Sequence, residues 1–302
     1  MFLSNQKVGP ATIAAAQADA DRDFQEQTRY AEQEKQRCLA APGTADAANY
    51  PADCSQMYAP TREDFPYQQY MPPTFDMRAN FGDMLITLAA LLAMGAYVIG
   101  ASFVGAEWNS GGMMNLLLWR PQRLRVLSAK LIALLVAVAA LTVVVSAAWT
   151  GVFTVVANLR GTTARMTSGA WQSFALMETR GLVLVLVAAA IGFGLASLGR
   201  HTAVALGAVV AVIVLFQIGL GTVLQLAKVK FVEAYLIPVW GVAWMDKSVK
   251  LENYNACDFS ATAGCQPETM TITWQMAGGV LAVLLVLVVG AAMWTMRSRD
   301  IT

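Results

Sequence analysis

Five runs of apolar residues set the limits of what this chain can fold into. They cover about residues 81–104, 131–156, 181–198, 202–226 and 274–296. At ~1.5 Å of rise per residue each reaches roughly 27 Å or more as a helix, enough to cross a hydrocarbon core of ~30 Å with its flanks. Backbone inside lipid must satisfy its own hydrogen bonds, so runs of this length are read as helices. With 57% hydrophobic and only 14% charged residues, the expected fold is an all-α polytopic membrane protein with five visible transmembrane helices.

The segment between the first two runs, residues 105–130, fixes the orientation. It carries Arg120, Arg123, Arg125 and Lys130 against the single acid Glu107, and an excess of cations next to membrane spans favours the cytoplasmic side. The first run then heads inward, residues 1–80 form an extracytoplasmic region, and 81–302 form the transmembrane domain. Alternation of the spans puts Arg297, Arg299 and the C-terminus inside. An aromatic and apolar stretch from Trp171 to Met177 reads as a separate interfacial helix ahead of the third span. Residues 227–273 fall outside. Their apolar centre, Phe231 to Met245, is too short to span and is interrupted by Pro238 and Gly241, which reads as an outer re-entrant or interfacial hairpin.

Residues 11–40 are rich in Ala, Gln, Glu and Arg and predict a polar helix. The Pro- and Tyr-dense stretch after it predicts an irregular loop, packed rather than disordered because of its aromatics. The chain opens without the charged, apolar and small-residue sequence of a removable signal peptide. An acidic region of about 80 residues would therefore have to cross the membrane with no leader. The expectation is that a further transmembrane helix precedes Met1 and that MFLSN is its outer end.

All four cysteines, Cys38, Cys54, Cys257 and Cys265, lie in segments assigned to the exterior, where an oxidising environment favours disulfides. The simplest pairing is local, Cys38 with Cys54 and Cys257 with Cys265, although four cysteines allow three pairings. A zinc site of four thiolates and a set of free thiols are the alternatives. Neither spacing resembles the CxxC of a metal site.

Catalytic patterns are missing. The sequence has no GxxxxGK[ST], no HExxH and no GxSxG, and its only histidine is His201, beside Arg200 at a helix end, where it reads as a cap or interface residue. No Lys/Arg-rich run interleaved with aromatics offers a nucleic-acid surface. Glu178 and Arg180 sit at the mouth of the third span and read as solvated boundary charges with the option of pairing. Well inside the spans the polar residues are Gln217, Ser102, Ser146, Ser197 and several Thr, without ionisable groups, which argues against an ion-coupled carrier. Small residues such as Gly192, Ala196, Gly207 and Ala211 predict close helix packing.

The segment from Glu107 to Lys130 also carries a pattern. Glu107, Gly111 four residues on, Leu116 to Leu118, Pro121, Arg125 and then Lys130 heading the next helix resemble the cytoplasmic loop of ABC-2 type permeases, the membrane subunits of one class of ATP-binding-cassette exporters. That family shows E-x-x-x-G-[TS], a leucine-rich turn, P-x-x-R and a lysine. Here Gly112 replaces the Thr or Ser, Trp119 and Arg120 precede the proline, and Leu124 occupies the usual arginine position between Arg123 and Arg125. The resemblance spans about residues 81–302 and includes the tight turn near Arg200.

The resemblance implies six spans with both termini inside, a dimer of permeases in the bacterial plasma membrane, and a separate ATPase subunit that binds ATP and Mg, leaving this chain without a cofactor, catalytic group or metal of its own. The loop would act as a coupling helix docking on the ATPase through Glu107, Gly111, Met114, Leu118, Trp119, Pro121, Arg125 and Lys130. Met113, Met114, Leu117, Leu118 and Trp119 offer an adaptable apolar contact, with Glu107 and the arginines free to pair with charges on the partner. An apolar or amphipathic substrate fits the uncharged interior. The alternatives are a membrane-anchored extracytoplasmic sensor, for which five packed spans are more than an anchor requires, and a membrane-embedded enzyme, for which acids and nucleophiles are lacking. Residues that merely rest on lipid headgroups would give the same amphipathic loop.

Overall fold

The computed structural model describes residues 9–43, 50–51, 53–72, 75–112, 123–253 and 267–298. The chain divides into two compact units, one of residues 1–77 with 154–165 and one of 78–153 with 166–302.

The first unit is built on α1 (Pro10–Ala40), a polar helix opened by proline in its first turn. Its surface carries ion pairs one turn apart, Asp19 with Arg22 and Glu34 with Arg37, and it buries Ala16, Ala20 and Cys38. The loop after it packs back as expected. Phe65 meets Phe24 edge to face at 5.9 Å, Arg62 pairs with Asp21, and a disulfide joins Cys38 to Cys54. That bridge closes 16 residues and removes loop freedom from the unfolded chain, on the order of 3 kcal/mol. Cys257 and Cys265 lie outside the described residues. Within the loop Asp64 accepts the backbone N–H of Thr61 at 2.8 Å, the phenol of Tyr58 at 2.8 Å and the Thr61 hydroxyl at 2.9 Å. These three donors hold its carboxyl below the usual carboxylate range. A two-residue parallel pairing of β1 (Phe75–Asp76) with β2 (Gly161–Thr162) completes this unit, beside an ion pair of Arg165 with Asp76.

Among the described residues five helices are long and apolar enough to cross a membrane. They are α2 (Met77–Asn109), α3 (Arg123–Arg160), α4 (Ser168–Gly199), α5 (Thr202–Leu226, π-helical over Ile213–Leu220) and, at the C-terminal end, α7 (Trp274–Ser298). Each begins or ends beyond its apolar run or at its edge, because lysine, arginine and glutamate continue a helix readily once it leaves the hydrocarbon. The predicted interfacial helix at Trp171–Met177 is not a separate element. Thr167 caps α4 by accepting the N–H of Ala170, and nothing between Met177 and Gly181 interrupts the turn, so α4 runs through it.

The second unit is held by close crossings of small residues. A side-chain carbon on Gly192 of α4 would strike the carbonyl of Tyr97 in α2, and one on Gly100 would strike the carbonyl of Ala189. Ala96, Ala101, Ala189 and Ala196 are buried around this crossing, and Phe193, Val104, Leu127, Leu134 and Val138 fill the space toward α3. The predicted packing of Gly192 and Ala196 is therefore present. Gly207 meets nothing within 4 Å, and Ala211 is exposed, so this stretch of α5 turns its small residues away from the bundle.

The described residues of 227–273 hold a short helix and two paired strands. Helix α6 (Ile237–Asp246) is 10 residues, about 15 Å and half a bilayer core. Pro238 occupies its first turn rather than breaking it, and the helix continues through Gly241. Strands β3 (Ser248–Asn253) and β4 (Glu268–Thr273) pair antiparallel with Ser248 opposite Thr273. Ala243, Ile272 and Ala277 form their buried core with Trp240 and Trp244, and the two indole N–H groups donate to Ala234 and Arg180 carbonyls at 2.8 and 2.9 Å.

Candidate coupling site

The ends of segment 105–130 are helical. Glu107 and Trp108 sit in the last turn of α2, which stops at Ser110 and Gly111, where a φ of +72° turns the chain out of the helix. Arg125 and Lys130 sit in the opening turns of α3. Glu107 and Lys130 form an ion pair that clasps the two helices at the base of the segment, with side chains 34% and 17% exposed. Of the residues expected to meet a partner, Glu107 and Lys130 are thus already engaged with each other, Gly111 makes the turn, and Arg125 is exposed. Met114, Leu118, Trp119 and Pro121 lie outside the described residues.

Three further groups, none of them in the expected coupling set, join this cluster. The Lys130 ammonium stands 6.0 Å from the ring centre of Phe103. The guanidinium of Arg200 stands 5.2 Å from that of Trp108, which itself packs on the buried core. Arg200 adopts a left-handed φ of 54° in the turn from α4 to α5, and His201 caps α5 by accepting the N–H of Ala203 at Nδ1, 3.1 Å away. That turn is pressed against α2, because a side-chain carbon on Gly105 would collide with Thr202. Tyr97 donates from α2 to the carbonyl of Ala205 at 2.6 Å. One cluster thereby ties α2, α3, the end of α4 and the start of α5, and a displacement of the segment would act on four spans together.

A second polar cluster lies far along these helices. Thr150 of α3 donates to Glu178 of α4 at 2.5 Å. Arg180 donates to the carbonyl of Met245 at 3.2 Å and lies 5.9 Å from the ring centre of Trp274. Both charges are partnered within the unit, with sequence separations of 28 and 65 that no local pattern reveals. Among the described residues no group of three or more His, Cys, Asp or Glu side chains is arranged to hold a metal.

At the end of α6, burial first and the negative charge of Asp83 second raise the carboxyl pKa of Asp246 above its ordinary 3.8. The folded chain then holds this proton more tightly than the unfolded one, so the group favours folding at acid pH and loses that contribution as pH rises through its folded value. The residue is exposed, so solvent screening keeps the effect modest. Asp246→Asn is expected to raise Tm by about 1–2 °C at neutral pH and to leave it unchanged below the unfolded pKa. A pH series of thermal melts checks this, and an equal shift at both ends would contradict the assignment.

The family described as ABC-2 family transporter protein matches residues 4–299. The chain belongs to that family. No curated protein and no solved structure matches it. As an ABC-2 family permease it is the membrane subunit of an ATP-binding-cassette transporter rather than an enzyme, a multi-pass protein of the plasma membrane, and membership implies association with an ATPase of the ATP-binding-cassette class.

Proposed function

We propose that this ABC-2 permease is an exporter subunit in which segment 105–130 docks on the ATPase and drives the spans through the Glu107–Lys130 clasp. The observation that carries the proposal is the clasp itself: the ion pair joins α2 to α3, and Arg200 on Trp108 extends it to the turn between α4 and α5. A push on the segment from closing ATPase subunits would tilt these helices as a set. Met114, Leu118, Trp119 and Pro121 supply the contact with the ATPase, with Arg125 as its charged rim. ATP and Mg are bound by that partner, and two permeases work as a dimer.

The cation excess of the segment supports its placement in the cytoplasm. The disulfide of the first unit supports an oxidising exterior for residues 1–80, and 227–273 lies on the same outer side. The cargo is apolar or amphipathic, in keeping with spans whose ionisable groups sit toward their ends, Glu107 with Lys130, Glu178 and Arg180 being engaged within the unit. Co-purification from membranes with the ATPase, followed by an ATPase assay, tests the docking role. Trp119→Asp combined with Arg125→Glu is expected to lose both the partner and permease-coupled hydrolysis, and retention of both would refute it. Labelling of the segment from outside intact cells would refute the orientation.

A further inference from the structure

A groove of about 450 Å³ runs between α3, α4 and α7, with Val183 and Val286 exposed along it. Leu131 and Leu135 line it from α3, Val183 and Leu186 from α4, and Val286 and Gly290 from α7. Every lining group is aliphatic or a glycine, so a polar solute would find no hydrogen-bonding partner there. The groove lies within three helices long and apolar enough to span a membrane, so a surface left open there meets hydrocarbon. Along α4 it extends from Val183 to Ala190, about 10 Å, the scale of one leaflet's hydrocarbon rather than of the whole bilayer.

The groove continues as a chemically graded stripe. On α7, Gly290, Trp294 and Arg297 are spaced four and three residues apart and so share one face of the helix. Trp294 is 73% exposed and Arg297 is also exposed. From aliphatic groove to indole to guanidinium, the stripe follows the order of acyl chain, interfacial glycerol and anionic phosphate in a phospholipid. We propose that the groove seats one acyl chain of an anionic phospholipid, with its phosphate held at Arg297, in the leaflet on the side of the α7 C-terminus.

The site does not depend on the direction of transport or on the ATPase, so it can be tested on the purified permease. Native mass spectrometry would compare retained phosphatidylglycerol and phosphatidylcholine of the same chain length. One cation at the headgroup predicts about a fivefold preference for phosphatidylglycerol. Arg297→Gln is expected to bring that ratio close to one. Gly290→Leu fills the groove from a position where an added carbon meets nothing within 4 Å, and Val286→Trp does so from a side chain already 68% exposed; each is expected to lower retained lipid severalfold. Equal retention of the two lipids by the unaltered protein overturns the proposal, as does unchanged retention in folded Gly290→Leu or Val286→Trp. If Val286→Trp instead lowers the oligomeric mass with lipid unchanged, the groove is a protein interface and the proposal fails. Should both filling variants misfold, the headgroup ratio and its response to Arg297→Gln still decide.

Discussion

Gly192→Val is expected to destabilise the permease by about 3 kcal/mol or more, at the upper end of overpacking costs, because the obstacle is backbone rather than a side chain able to rotate away. A side-chain carbon at Gly192 would overlap the Tyr97 carbonyl oxygen and stand 3.0 and 3.2 Å from the Tyr97 carbonyl carbon and the Ala101 nitrogen. Relief requires α2 and α4 to separate, which would also pull Tyr97 from its 2.6 Å hydrogen bond to Ala205 and open the space around Phe193. Gly100→Val meets the reciprocal obstacle at Ala189 and should cost a similar amount. Gly95→Ala and Gly207→Ala, where an added carbon meets nothing within 4 Å, should change stability by less than about 1 kcal/mol and could gain from improved helix propensity. Thermal unfolding in mild detergent, read as the monodisperse fraction after heating, separates the two groups. A Gly192→Val protein that melts with the parent would show that the helices are not in backbone contact there.

The contrast between these glycines shows what could be read before the fold was seen. Hydropathy located all five spans, since no other arrangement buries the backbone of such runs in lipid. It could not tell which small residues face another helix and which face outward: Gly192 and Gly207 both sit in apolar runs rich in Ala and Val, yet only the first meets a neighbouring backbone. Helix ends were legible only to within a turn or more, because α2 carries Glu107 and Trp108, and α3 carries Arg125 and Lys130, past the apolar stretches that hydropathy detects. Pro238 looked like a break and proved to be a start, an ambiguity of proline that only the preceding turn resolves. Four residues of the expected coupling set are placed at the mouth of the segment, but the pairing of Glu107 with Lys130, 23 residues apart, depends on the two helices meeting. Phe103 and Arg200 joined the cluster for the same reason, and no spacing rule could have found them.

That pairing carries the second large expectation. Lys130→Glu places a second carboxylate beside Glu107 in a site where the two native side chains are 17% and 34% exposed. Breaking a partly buried pair and adding repulsion should cost about 3 kcal/mol, well above the few tenths typical of exposed pairs. It also removes the cation from the face of Phe103. The double variant Glu107→Lys with Lys130→Glu restores opposite charges across the same gap and should recover most of the loss, though not all, because lysine on α2 no longer lies over Phe103. Stability alone would mark a structural pair. If the clasp transmits force, Lys130→Gln should keep the ATPase bound through Met114, Leu118 and Trp119 while lowering transport per ATP hydrolysed by about tenfold, within the 1–3 kcal/mol usual for coupling between sites. Reconstituted vesicles with the partner ATPase, scored for hydrolysis and cargo movement together, provide the measurement. Recovery of stability but not of coupling in the charge-swapped protein would assign the coupling to lysine at α3 itself; recovery of neither would mean that Glu107 and Lys130 act separately and that the spans are joined to the segment by the Trp108–Arg200 contact alone.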